Sequence, residues 1–97
     1  MRVISRRKLR EFWEVTNEAE TPLDNWYRTA KKAEWQNIVE VREKYPHADI
    51  FGNCVIFNVG GNKHRIIAKI EFIKQTIYVK FVLTHKEYDK NTWKRDC

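Results

Sequence analysis

The chain is poor in residues that staple, kink or loosen a protein: two cysteines, two prolines, three glycines and one methionine among 97 residues. Cys54 and Cys97 lack metal-type spacing, and Cys97 is the last residue, where chains are commonly loose. Both are therefore expected as reduced thiols, with Cys54 in the core. Three dispersed histidines and two separated cysteines do not make a metal site, so neither metal nor cofactor is expected. No apolar run approaches the roughly 20 residues of a membrane span. The opening MRVISRRKL carries too little apolar sequence behind its basic residues for a signal peptide, which implies a cytoplasmic protein with no membrane association. Repeats and low-complexity stretches are missing too, and the one plausible linker lies between Pro46 and Gly52, so residues 1–97 are expected to form one domain.

What the chain does have is a core and an excess of one charge. Hydrophobic residues make up 42% and charged residues 33%, a balance that excludes global disorder and suits a folded domain near the lower size limit. Nineteen Lys and Arg against thirteen Asp and Glu leave a net charge of +6, which favours an anionic partner, either nucleic acid or an acidic protein.

The pattern along the chain is α+β, in the order β-α-α-β-β-β. Arg2-Val-Ile allows a short edge strand. Ser5 offers an N-cap to a helix carrying Leu9, Phe12 and Trp13. Thr21-Pro22 then offers an N-cap and a proline at the first helical position, ahead of a stripe of Leu23, Trp26, Tyr27, Ala30 and Ala33. Residues 36–45 fit a further helical segment, although Ile38, Val39 and Val41 also suit an extended one. The second half reads as three antiparallel strands, Cys54–Val59, His64–Ile73 and Thr76–Thr84, with Gly60-Gly61-Asn62 turning the first hairpin and Lys74-Gln75 the second. Two N-terminal helices packed on a twisted antiparallel sheet are the expected architecture. Gly60 and Gly61 read as turn residues and not as a phosphate cradle, since no helix follows them.

A two-residue second turn sets Ile66 opposite Leu83, Phe72 opposite Ile77 and Lys69 opposite Lys80. Ile66, Ala68, Ile70 and Phe72 then join Ile77, Val79, Phe81 and Leu83 on the face toward the helices. The other face carries Asn58, Lys63, Arg65, Lys69, Glu71, Tyr78, Lys80 and Thr84, a basic, hydrogen-bonding surface with Tyr78 free to stack, as RNA binding requires. A solvated outer face would use the same residues. Trp13 and Trp26 fall on core stripes, which leaves Trp93 in the polar tail as the tryptophan for contact with RNA, ribosome or antitoxin.

The strings FNVGGNKHRIIAKIEF (Phe57 to Phe72) and IYVKFVLTHKEYDK (Ile77 to Lys90) resemble the HigB toxins, a RelE-type family of bacterial toxin–antitoxin pairs. The distinctive part is FNVGGN, an Arg after two variable residues, and THxEYD, which covers about the last 40 residues; the helical half is less distinctive. The resemblance implies a RelE-like fold, cleavage of mRNA during translation on the ribosome, and a HigA-like antitoxin with a helix-turn-helix domain.

Chemistry of that kind needs no metal. RNA is cut when its own 2′-hydroxyl attacks the adjacent phosphate, provided that one group takes a proton, another returns one, and positive charge stabilises the phosphorane. Arg65 suits a phosphate clamp, with Lys80 beside it. His85 at the end of the last strand is the proton-transfer group. Tyr88 and Asp89, one turn on, position the substrate or orient His85, while Asn58, Lys63, Lys69, Tyr78 and Lys90 hold the RNA. Two non-enzymatic readings compete: an RNA- or ribosome-binding basic module, which would not need the His85–Asp89 cluster, and a protein-interaction domain whose positive face meets an acidic partner.

Overall fold

The computed structural model describes all 97 residues. Strand β1 (Arg2–Ile4) leads into α1 (Arg6–Val15), a 3-10 turn at Asn17–Ala19 and α2 (Glu20–Lys32). These are followed by α3 (Ile38–Lys44), β2 (Asp49–Phe51), β3 (Cys54–Val59), β4 (His64–Glu71), β5 (Thr76–Thr84), α4 (His85–Asp89) and a 3-10 segment at Thr92–Asp96. The expected order therefore stands, with α3, an edge strand β2 inside the supposed linker, and α4 added to it. The sheet is five-stranded in the order β1-β5-β4-β3-β2 and mixed, because β1 runs parallel to β5 while the other pairs are antiparallel. No helix is long and apolar enough to cross a membrane.

Local chemistry accounts for several helix ends. Asn37 caps α3 by accepting from the Glu40 backbone N–H at 3.1 Å, which resolves the open choice at residues 36–45 in favour of a helix. Helix α2 begins one residue before Thr21, so Thr21 and Pro22 lie inside its first turn and not at its cap; a proline is tolerated there because the first-turn N–H groups have no intrahelical partner. The far end of α2 is met by the Met1 ammonium, which donates to the carbonyls of Ala30, Lys31 and Ala33 at 3.2, 2.9 and 2.5 Å, a cation at the negative end of the helix dipole.

One side of the sheet packs on the helices. Val55, Phe57, Val59, Ile66, Ala68, Ile77 and Val79 share a core with Leu9, Leu23, Trp26 and Ala30, and Trp26 meets Phe57 edge-on at 5.3 Å. The expected β4–β5 register is wrong. The turn takes four residues, Phe72–Gln75, with Gln75 at φ +50°, and its strand end pairs Glu71 with Thr76, Ile70 with Ile77 and Lys69 with Tyr78. A bulge at Ile67/Ala68 then leaves Lys80 without a partner, because Ile67 faces Phe81 while Ala68 faces Val79. An extra residue in one strand shifts its alternation by one, so Phe81 and Leu83 leave the helix side and join Cys54, Ile56 and Ile67 on the other face.

That second face is covered, contrary to the expectation of an open basic surface. The C-terminal segment folds over it and buries Trp93 to 3% exposure against Ile56 and Ile67, so Trp93 is a packing residue and not a free contact. The return also sets Cys97 beside Cys54, and the two form a disulfide across 43 residues with Cα atoms 5.4 Å apart. The expectation of two reduced thiols therefore fails, because the terminus is docked where a loose end was assumed. Gly52, at φ +57°, makes room for it: a Cβ there would stand 2.1 Å from the Cys97 carbonyl oxygen, and the neighbouring Asn53 N–H donates to that oxygen at 2.9 Å.

Candidate functional site

The site forms where the β3–β4 turn, the start of β4 and α4 meet. Gly60, Gly61 and Asn62 adopt positive φ (63°, 59° and 78°), a run that two glycines and an asparagine accommodate. The turn delivers Arg65 to the sheet face away from the helices, opposite Asn58 on β3 and Leu83 on β5. Across from the turn, Thr84 caps α4 in a reciprocal box: its hydroxyl accepts from the Glu87 N–H at 3.1 Å, and the Glu87 carboxylate accepts from the Thr84 N–H at 2.9 Å. A backbone bond from His85 N–H to the Lys63 carbonyl, 3.0 Å, ties helix to turn.

Arg65 is only 5% exposed, and its terminal hydrogens are committed. Nη1 donates to the carbonyls of Asn62 at 2.9 Å and His64 at 3.3 Å; Nη2 donates to Asn62 Oδ1 at 3.0 Å and lies 3.0 Å from His85 Nδ1. Arginine has no acceptor, so Nδ1 must accept, and the hydrogen of the neutral ring sits on Nε2. Nε2 in turn faces the Asp89 carboxylate at 3.3 Å. The guanidinium carbon stands 5.0 Å from the centre of the Tyr88 ring, which also stacks on Trp93 at 5.1 Å and 13°, while the Trp93 indole N–H donates to the Tyr88 carbonyl at 3.0 Å. With its ring engaged in this way, what Tyr88 offers a ligand is its hydroxyl.

Arg65, His85, Tyr88 and Asp89 are thus brought together, with Asn58 and Lys63 adjoining them. Other expected residues are not. Lys80, at the bulge, donates to the Asp96 carbonyl of the docked tail, and lies three residues along β5 from the partner of Arg65, about 10 Å at strand spacing. Lys69 is paired with Glu71 at 3.7 Å and stands opposite Tyr78 toward the far end of β4, roughly 13 Å from Arg65 by the same spacing. The facing lysines inferred from the two-residue turn do not exist. Lys90 is exposed just past α4.

The model of the HigB toxin family, described as the RelE-like toxic component of a toxin–antitoxin system, matches residues 19–91, a span that includes the whole cluster. The chain belongs to the HigB toxin family. Among its relatives, the mRNA interferase HigB of Escherichia coli O6:H1 (strain CFT073) is 36% identical over 73 residues, covering 72% of this chain and 71% of its own. The mRNA interferase toxin HigB of Escherichia coli K12 is 32% identical over 92 residues, covering 92% and 88%. The mRNA interferase HigB of Shigella flexneri matches to the same extent, 32% over 92 residues.

Within this family member, the sequence reading missed three residues around the cluster. Asn62, after two glycines, reads in the sequence as a turn residue alone, yet it supplies two of the acceptors on Arg65. Lys86 lines a polar groove with Thr16, Glu18, Lys63 and His85, and the first turn of a capped helix was the signal that could have placed it beside His85. His64, 3% exposed and edge-on to Phe12 at 5.5 Å, is held below its ordinary pKa, first by burial and then by Lys63 and Arg65, with Glu18 opposing. It is a neutral wall of the site, and its Nδ1 has no hydrogen-bond partner.

Proposed function

We propose that this chain is a toxin that cuts messenger RNA endonucleolytically in the cytoplasm, on the translating ribosome, and that Arg65, His85, Tyr88 and Asp89 form its cleavage centre. A helix-turn-helix antitoxin is its partner in this reading. The observation that carries the assignment is the 3.0 Å contact between Arg65 Nη2 and His85 Nδ1, which sets a permanent cation against a proton-transfer group. Names of relatives at 32% and 36% identity, all mRNA interferases, support the reaction class.

The reaction uses the nucleophile of the substrate. The 2′-oxygen bonds to the adjacent phosphorus, the bond to the 5′-oxygen breaks, and the products end in a 2′,3′-cyclic phosphate and a 5′-hydroxyl. In the free protein Nδ1 is occupied by Arg65. A phosphate oxygen that competes for the Nη2 hydrogen releases Nδ1 as the base for the 2′-hydroxyl, while Asp89 at Nε2 orients the ring and stabilises the imidazolium. Arg65 meanwhile gives charge to the phosphorane. In this reading the Tyr88 hydroxyl returns a proton to the 5′-oxygen, and the exposed Lys63, Lys86 and Lys90 supply positive charge for the RNA backbone. Lys80, Lys69 and Tyr78, by their distance, contribute to binding at most.

The test is single-turnover cleavage of a defined message on translating ribosomes. Wild type should leave 5′-hydroxyl ends, and His85→Gln should cut about 10²- to 10⁴-fold more slowly with binding nearly unchanged and without the wild-type ionisation in the pH profile. Binding without cleavage by the wild type would establish the non-catalytic alternative, and cleavage by His85→Gln at the wild-type rate would remove His85 from the chemistry.

A further inference from the structure

We propose that Asn62 is a positioning residue of the cleavage centre: it anchors the Arg65 guanidinium and, through it, holds His85 in one tautomer and orientation. The proposal rests on the reading of Arg65 and His85 as that centre. Asn62 alone gives two acceptors to Arg65, its backbone carbonyl to Nη1 at 2.9 Å and its side-chain oxygen to Nη2 at 3.0 Å. The side-chain amide orientation follows from the donor-only partner. Each terminal guanidinium nitrogen carries two hydrogens in one plane, so fixing one Nη2 hydrogen on Asn62 aims the other at His85 Nδ1, 3.0 Å away. That second hydrogen is the one for which a phosphate oxygen competes with the imidazole in the reaction above.

The turn by itself does not call for asparagine. Asn62 follows Gly60 and Gly61, all three at positive φ, and a third glycine would meet that backbone demand with less strain. What glycine lacks is the acceptor. Asparagine tolerates the left-handed conformation and supplies a side-chain oxygen that accepts from the guanidinium.

Glycine and aspartate at this position separate the roles. Asn62→Gly keeps the turn and removes only the side-chain acceptor; Asn62→Asp keeps the acceptor. A hydrogen bond to a charged group is commonly worth enough for about a 10- to 100-fold change in rate, so Asn62→Gly should lose that much single-turnover cleavage with RNA affinity within about 3-fold of wild type. Nitrogen-15 NMR of the imidazole should show His85 as the Nε2–H tautomer in wild type and Asn62→Asp, and as a mixture in Asn62→Gly. Asn62→Asp should restore most of the rate. Wild-type cleavage by Asn62→Gly, or equal loss in both variants with an unchanged His85 tautomer, would overturn the proposal. The NMR readout does not require activity. A wild type that cuts nothing would therefore overturn the cleavage reading, while the tautomer would still decide whether Asn62 sets Arg65 and His85.

Discussion

Arg65 is a buried cation whose charge is distributed over a cage, and lysine cannot replace it there. One ammonium cannot reach the Asn62 carbonyl, Asn62 Oδ1 and His85 Nδ1 in the planar arrangement that the guanidinium uses. Arg65→Lys should therefore lose more than about 10²-fold in cleavage, comparable to one lost transition-state donor. Arg65→Ala should in addition lower stability by roughly 1–3 kcal/mol, because the carbonyl of the buried His64 loses a donor and Tyr88 loses the cation against its ring. Equal cleavage by the lysine variant would mean that only charge matters. His64, next in the chain, gives a pH prediction. An unfolded histidine titrates near about 6.5, whereas burial holds the folded one lower. Below that ordinary value the unfolded chain binds more protons, so stability present at neutral pH should fall on acidification toward the folded pKa, by up to about 1.4 kcal/mol per pH unit. Urea midpoints across this range should show the loss in wild type and less of it in His64→Phe; parallel curves would show that His64 is not the group responsible. The residue types of the centre were legible in the sequence, since Arg65, His85, Tyr88 and Asp89 fall in the strings FNVGGNKHR and THKEYD. Their bonding was not: an arginine at a strand position gives no sign that a neighbouring turn already occupies its donors.

At the scale of elements, α4 presents three of the four residues of the centre, and five residues make a helix too short to persist by propensity. Its capping box and the His85–Lys63 backbone bond hold it in place. Thr84→Ala removes the acceptor for the Glu87 N–H and should cost about 0.5–2 kcal/mol, felt mainly as fraying of α4. Amide exchange over His85–Asp89 should speed up and cleavage should drop, while β3 and β4 stay protected; unchanged protection in α4 would show that the box is dispensable. Thr84-x-x-Glu87 is itself a sequence signature of a helix start, so α4 was readable where the strand was taken simply to end. The bulge in β5 was not. Alternation assigned Ile77 and Val79 correctly to the helix side and failed at Phe81 and Leu83, because one unpaired residue, Lys80, inverts every side chain after it. The four-residue turn had already set Lys69 opposite Tyr78 and not Lys80, and with the bulge it dissolved the continuous basic face.

On the scale of the whole molecule, the unexpected partner of the site is the chain terminus. Trp93 supports Tyr88, Tyr88 lies against Arg65, and the segment carrying Trp93 is fastened by the Cys54–Cys97 disulfide, the Lys80–Asp96 bond and the close approach of Cys97 to Gly52. A spacing argument that treats a last residue as loose cannot foresee this, because docking depends on an apolar face of Cys54, Ile56 and Ile67 that the bulge enlarges with Phe81 and Leu83. A cross-link that closes a loop of this length restricts the unfolded chain and is worth about 2–4 kcal/mol. Cys97→Ser should lower the unfolding free energy read from urea titration by that amount, and a thiol reductant should do the same to wild type while leaving Cys97→Ser unaffected. Because Trp93, Lys80 and Gly52 still hold the tail, the variant should fold, with faster amide exchange confined at first to residues 91–97 and then to α4. Gly52→Ala, which sets a methyl against the Cys97 carbonyl, should loosen the same residues even with the disulfide intact. Intact mass after alkylation without reduction gives the direct count of thiols. Two alkylated cysteines in the native protein, together with Cys97→Ser as stable as wild type, would show that the terminus is held by packing alone.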